Sequence, residues 1–62
     1  MPVTAIFEEM EAREREYDQW MQEFAEAIAN WDMDMMIFAD AVLCDIEAEF
    51  YELEDELEWA AA

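Results

Sequence analysis

After Pro2 the 62-residue chain contains neither glycine nor proline. These two residues are the usual interrupters of regular structure, so little in the backbone chemistry stops a helix. Alanine, glutamate, leucine and methionine, all good helix formers, fill the gap. The sequence therefore predicts an all-α protein. Leu43, Ile46, Phe50, Leu53, Leu57 and Ala60 are spaced 3, 4, 3, 4, 3. That is the rhythm of heptad a and d positions, and it gives this segment one apolar seam.

A second heptad series precedes it: Phe7, Met10, Glu14, Tyr17, Met21, Phe24, Ile28 and Trp31. Thr4 is the expected N-cap. Ile6 and Trp20 widen the stripe on one flank, and Trp20 and Trp31 are assigned to the core. Glu14 is the polar residue of this seam, read as a register-setter. Glu9 to Arg13 and Glu11 to Arg15 are acid-then-base pairs at i, i+4, the favourable order.

The two series do not share a register. Continuing the first predicts seam positions at 35 and 38, whereas the second runs back through Met36 and Ala39. One extra residue turns a helical face by about 100°. A break at 30–34 explains the shift, with Asn30, Asp32 and Asp34 as residues that can end one helix or cap the next. The expected fold is an antiparallel helical hairpin, helices about 4–30 and 33–60, in a single domain over 1–62. Apolar residues outside the seams (Met35, Phe38, Val42, then Ile37, Ala41, Cys44, Ala48 and Tyr51) need a further cover. Either an extra bend near Tyr17–Trp20 or a homodimeric four-helix bundle would supply it. Cys44 is read as a small buried hydrophobe.

The formal charge is −17, with Arg13 and Arg15 as the basic residues against nineteen acids. Nucleic acid and anionic membrane would both repel such a chain, so neither is expected to bind directly. A basic protein surface is the natural partner. An apolar fraction of 58 % is far above that of a disordered polyanion. The longest apolar run, Met35–Ala39, is far short of the ~20 residues of a membrane span. The N-terminus lacks the basic region and cleavage site of a secretory signal, and the one cysteine fits a reducing compartment, so a cytoplasmic location is expected.

Catalysis is not expected. Histidine, lysine, serine and glycine are all missing, which removes the usual bases, Schiff-base formers, most hydroxyl nucleophiles and phosphate-cradling loops. Glu8/Glu11, Glu11/Glu14, Glu23/Glu26 and Glu49/Glu52 have the i, i+3 spacing seen in di-iron bundles, but those sites use Glu-x-x-His with inward-facing ligands. No metal and no cofactor are expected.

The acids are placed where helices tolerate them poorly. Between Asp45 and Glu58 eight of fourteen residues are acidic: Asp45, Glu47, Glu49, Glu52, Glu54, Asp55, Glu56 and Glu58. The last four crowd a helix C-terminus, where each costs about 0.3–1 kcal/mol at low salt. Six like-charged pairs at i, i+3 or i, i+4 (45/49, 49/52, 52/55, 52/56, 54/58 and 55/58) cost roughly 0.2–0.5 kcal/mol each. A solubility shell could mix in lysine without that penalty. Fourteen helical residues span about 21 Å, or one acid per ~2.6 Å. Duplex DNA carries one charge per ~1.7 Å of axis and a single strand one per ~3.4 Å.

In size, charge and helical seam the chain resembles the DNA-mimic inhibitors of phages and mobile elements, the anti-CRISPR and anti-restriction proteins. No shared motif carries this likeness. The resemblance implies a non-catalytic inhibitor that occupies the nucleic-acid-binding surface of a basic protein in a bacterial host. Its phosphate mimics would be Asp40, Asp45, Glu47, Glu49, Glu52, Glu54, Asp55, Glu56 and Glu58, with acids of the first helix extending the track and Trp59 as a hot-spot candidate. The competing reading is a helical interaction module, such as an antitoxin, an adaptor or an assembly subunit, that pairs through its apolar seams while its acids merely solvate it.

Overall fold

A computed structural model describes residues 2–61. Two helices make up almost all of it: α1 over Val3–Ala29 and α2 over Met33–Ala61. They pack against each other as a hairpin with extents of 47 × 15 × 11 Å. α1 is unbroken from Val3 to Ala29, so there is no bend at Tyr17–Trp20.

The turn lies within the expected 30–34 break and is built by hydrogen bonding. Trp31 N–H donates to the Ile28 carbonyl at 3.2 Å, and Asp32 N–H to that of Ala27 at 2.9 Å. This is the Schellman pattern, with Trp31 in the left-handed position that glycine normally takes. Its φ is 56°. For an L-residue that conformation costs about 1–2 kcal/mol. Asp32 then starts α2: its carbonyl accepts from Met36 N–H at 3.0 Å, and its Oδ1 accepts from Met35 N–H at 3.2 Å. One residue thus closes one helix and caps the next. At the other end Pro2, not Thr4, occupies the N-cap of α1, and no side chain caps it. Proline ahead of a helix has no N–H to satisfy, and its carbonyl accepts from Ile6 N–H at 3.1 Å.

α2 buries the expected seam. Ala39, Leu43, Ile46 and Leu53 are buried, and Met36, Phe50 and Leu57 half-buried, while Ala60 is exposed. α1 uses a different register. Its inward line is Ile6, Met10, Arg13, Tyr17, Trp20, Phe24 and Ala27, with Ile6 and Ala27 fully packed. Met10, Tyr17 and Phe24 belong to both registers. Phe7, Glu14, Met21, Ile28 and Trp31 do not face α2 and are exposed. The polar seam residue is therefore Arg13 rather than Glu14. A glutamate there would meet the acids of α2, whereas an arginine finds a partner among them. Trp20 packs on Phe38 with ring centroids 5.5 Å apart at 59°, a tilted pair that fixes the helices near the loop. Trp31 is 84 % exposed rather than core, and Cys44 is exposed rather than buried.

Candidate anionic interface

Helical spacing divides the acids of α2 between two flanks of its seam. Asp45, Glu49, Glu52 and Glu56 recur at 4, 3, 4 on one side, and Asp40, Glu47, Glu54 and Glu58 at 7, 7, 4 on the other. Asp55 falls on the outer side. All nine are exposed. The arrangement is two rows and an outlier, not the single track that pooled spacing along the sequence suggests.

The first flank is the more organised. Arg13 NH1 lies 3.2 Å from Glu16 Oε2 on its own helix and 3.2 Å from Glu49 Oε2 across the hairpin. Glu9, Arg13, Glu49, Glu52, Leu53 and Glu56 line one open hollow. The expected Glu9–Arg13 pair is replaced by these two contacts, and among the described residues Arg15 makes no ion pair. Six acids (Glu9, Glu16, Asp45, Glu49, Glu52 and Glu56), Asp45 by its place in the row, flank one arginine along the eleven-residue rise from Asp45 to Glu56. Net −5 over about 16.5 Å is one charge per ~3.3 Å. A single DNA strand carries one per ~3.4 Å. Glu9 and Glu16 were only loosely implied by the sequence, because their place beside Glu49 depends on how the helices dock.

On the second flank Tyr17 donates its hydroxyl to Glu47 Oε1 at 3.3 Å. Partial burial, first, and the Glu47 carboxylate hold the Tyr17 phenol above its ordinary value of 10.0. Trp59 is 84 % exposed and shares a shallow hollow with Asp55, Glu56 and Ala60.

No protein-family model, curated protein or solved structure matches this chain.

The charge is also distributed along the length of the hairpin. Residues 20–41, the third of the chain nearest the loop, contain five acids: Glu23, Glu26, Asp32, Asp34 and Asp40. The other forty residues, 1–19 and 42–62, hold the remaining fourteen. Large exposed apolar residues show the opposite bias: Met21, Ile28, Trp31, Met33, Ile37 and Phe38 lie in this third, against Val3, Phe7, Tyr51 and Trp59 in the rest. The loop end is thus the less acidic and the more apolar of the two. Among the described residues no cluster of three acids or cysteines could hold a metal ion, and no helix is long and apolar enough to cross a membrane.

Proposed function

We propose that this chain is an acidic helical inhibitor that imitates nucleic acid. It occupies the DNA-binding surface of a basic target protein, such as a CRISPR effector or restriction enzyme of a bacterial host. The observation that supports this most is the Arg13 flank, where net charge averaged along the hairpin has the linear density of a DNA strand. Lysine and arginine side chains of the target pair with Glu9, Asp45, Glu52 and Glu56, and release the counterions that those carboxylates hold. Affinity falls steeply with salt for that reason.

The test begins with capture of the target from a bacterial lysate and elution with rising salt. Duplex DNA then competes with the protein for the isolated target. A stable ternary complex of target, protein and DNA overturns groove mimicry. Reversing Glu52 and Glu56 to lysine abolishes binding with the hairpin intact, while reversing Asp40 and Glu58, on the opposite flank, leaves most of it.

A second reading is favoured by the apolar loop end: a non-catalytic interaction module that binds through that surface. It predicts that the Glu52 and Glu56 reversals leave partner affinity unchanged and that salt does not elute the partner.

A further inference from the structure

Met21 and Ile28 lie two turns apart on one stripe of α1, and Met33 and Ile37 one turn apart on α2. Trp31 stands between the stripes in the loop. Their exposures are 44, 50, 63, 67 and 84 % respectively. At roughly 200 Å² for a fully open large side chain, they leave about 600 Å² of apolar surface in water. That is at the upper limit of the largest apolar patch on an ordinary monomer, ~300–600 Å². The whole molecule exposes 4819 Å², against about 4,200 Å² for a compact protein of 7.4 kDa. Trp31 adds an independent sign. A bulky residue is held in a left-handed conformation that suits glycine, yet its side chain touches little of its own chain.

We propose that a second copy of this chain covers the patch, in a two-fold contact between loop ends. Three observations select a second copy. Covering about 600 Å² on each of two partners removes about 1,200 Å² in total, the lower edge of specific interfaces. The contact is made where acids are sparser, five among the 22 residues 20–41 against fourteen among the other forty, so the −17 charges of two copies oppose it least there. Joining hairpins 47 Å long by their loop ends leaves the anionic ends far apart, several screening lengths of ~8 Å at physiological salt. The Arg13 flank of each copy stays open, so the dimer presents two anionic arms. The inference does not rest on nucleic-acid mimicry and stands or falls separately.

Sedimentation equilibrium of the full chain tests it. A mass of twice 7.4 kDa is expected at high protein concentration, with dimerisation tightening as salt rises, the reverse of the salt effect on a basic target. Trp31→Gly suits the backbone at that position, so circular dichroism should show helicity retained. Combined with Ile37→Lys it weakens the dimer at least about tenfold. Phe7→Ser, at the far end of the rod, leaves the dimer unchanged. A mass of 7.4 kDa at every concentration and salt overturns the inference. So does a dimer that ignores the loop-end variants or is lost with Phe7→Ser, and so does an assembly that needs a different protein to form.

Discussion

Arg13 and Glu49 meet across the hairpin at 3.2 Å, and theirs is the one ion pair between the helices among the described residues. The Arg13 side chain is 28 % exposed and that of Glu49 49 %, so solvent weakens the attraction. Exposed pairs of this kind contribute about 0–1 kcal/mol. The larger effect of Arg13 is its position. Its stem fills a seam site, and its buried Nε has no protein partner.

Arg13→Met should therefore leave stability unchanged or raise it by about 1 kcal/mol, because an apolar chain replaces a poorly satisfied donor. Arg13→Ala should cost about 1 kcal/mol, since the seam is then left unfilled. Urea denaturation of both variants checks this. A collapse of the hairpin in Arg13→Met would show that the bridge, not the packing, holds the helices in register.

That register is also where the sequence was least readable. Between Asp45 and Glu58 α2 offered one choice, because only acids, Ala48 and Tyr51 separate its seam residues. α1 offered two overlapping series that share Met10, Tyr17 and Phe24. One uses Phe7, Glu14, Met21 and Ile28, and the other Ile6, Arg13, Trp20 and Ala27. Summed hydrophobicity favours the first. The second is realised because Ile6 and Ala27 pack fully, Trp20 meets Phe38 and the stem of Arg13 fills the seam beside Glu49, contacts that exist only once the helices dock. The hairpin, its break and the acid-rich helix were legible from local spacing. The flank that gathers Glu9 and Glu16 beside Asp45, Glu49, Glu52 and Glu56 was not, because it follows from the docking register.

A pair of neighbouring truncations measures this directly. Ile6 is 0 % exposed and Phe7 is 51 % exposed. Ile6→Ala should cost about 2 kcal/mol or more, as loss of a buried aliphatic side chain does. Phe7→Ala, despite removing more atoms, should cost less than about 1 kcal/mol. Thermal or urea unfolding that reverses this order would favour the register built on Phe7.

Asp32 serves both helices at the turn, so its side chain can be probed without touching the core. Asp32→Ala removes the acceptor for Met35 N–H and should cost about 1 kcal/mol. Asp32→Asn keeps an acceptor and should restore most of it. Amide hydrogen exchange should show the loss as faster opening of the first turn of α2, at Met35 above all.

Tyr17 supplies a pH dependence of definite sign. Its folded-state pKa is raised above 10.0 by partial burial and by Glu47. The folded state therefore favours the protonated phenol, and that contribution is fully present below pH 10. It is lost as pH rises through the folded-state value, where a phenolate would face the Glu47 carboxylate. Tyr17→Phe should remove this part of the alkaline loss. The difference between the two stability curves should be flat from neutral pH to about 9 and change only above 10. A difference that develops near neutrality would assign it to another group.

The crowding of Asp45 to Glu58 predicts how the fold responds to salt. With all eight of these acids exposed and Arg13 alone paired with one of them, Glu49, repulsion along α2 is largely uncompensated. Raising ionic strength shortens the screening length from about 30 Å at 0.01 M to 3 Å at 1 M, so the melting temperature should rise with sodium chloride. Glu56→Lys isolates the local part. It replaces a repelling neighbour of Glu52 with an attracting one and puts a cation near a helix C-terminus. The gain should be about 1 kcal/mol at low salt and should shrink at high salt. The same substitution removes a carboxylate from the Arg13 flank, so a target that reads that flank as a DNA strand should bind the more stable variant more weakly. Stability and affinity moving in opposite directions would mark the repulsion as retained for binding. Stability rising with affinity unchanged would assign the acids of this flank to solvation alone.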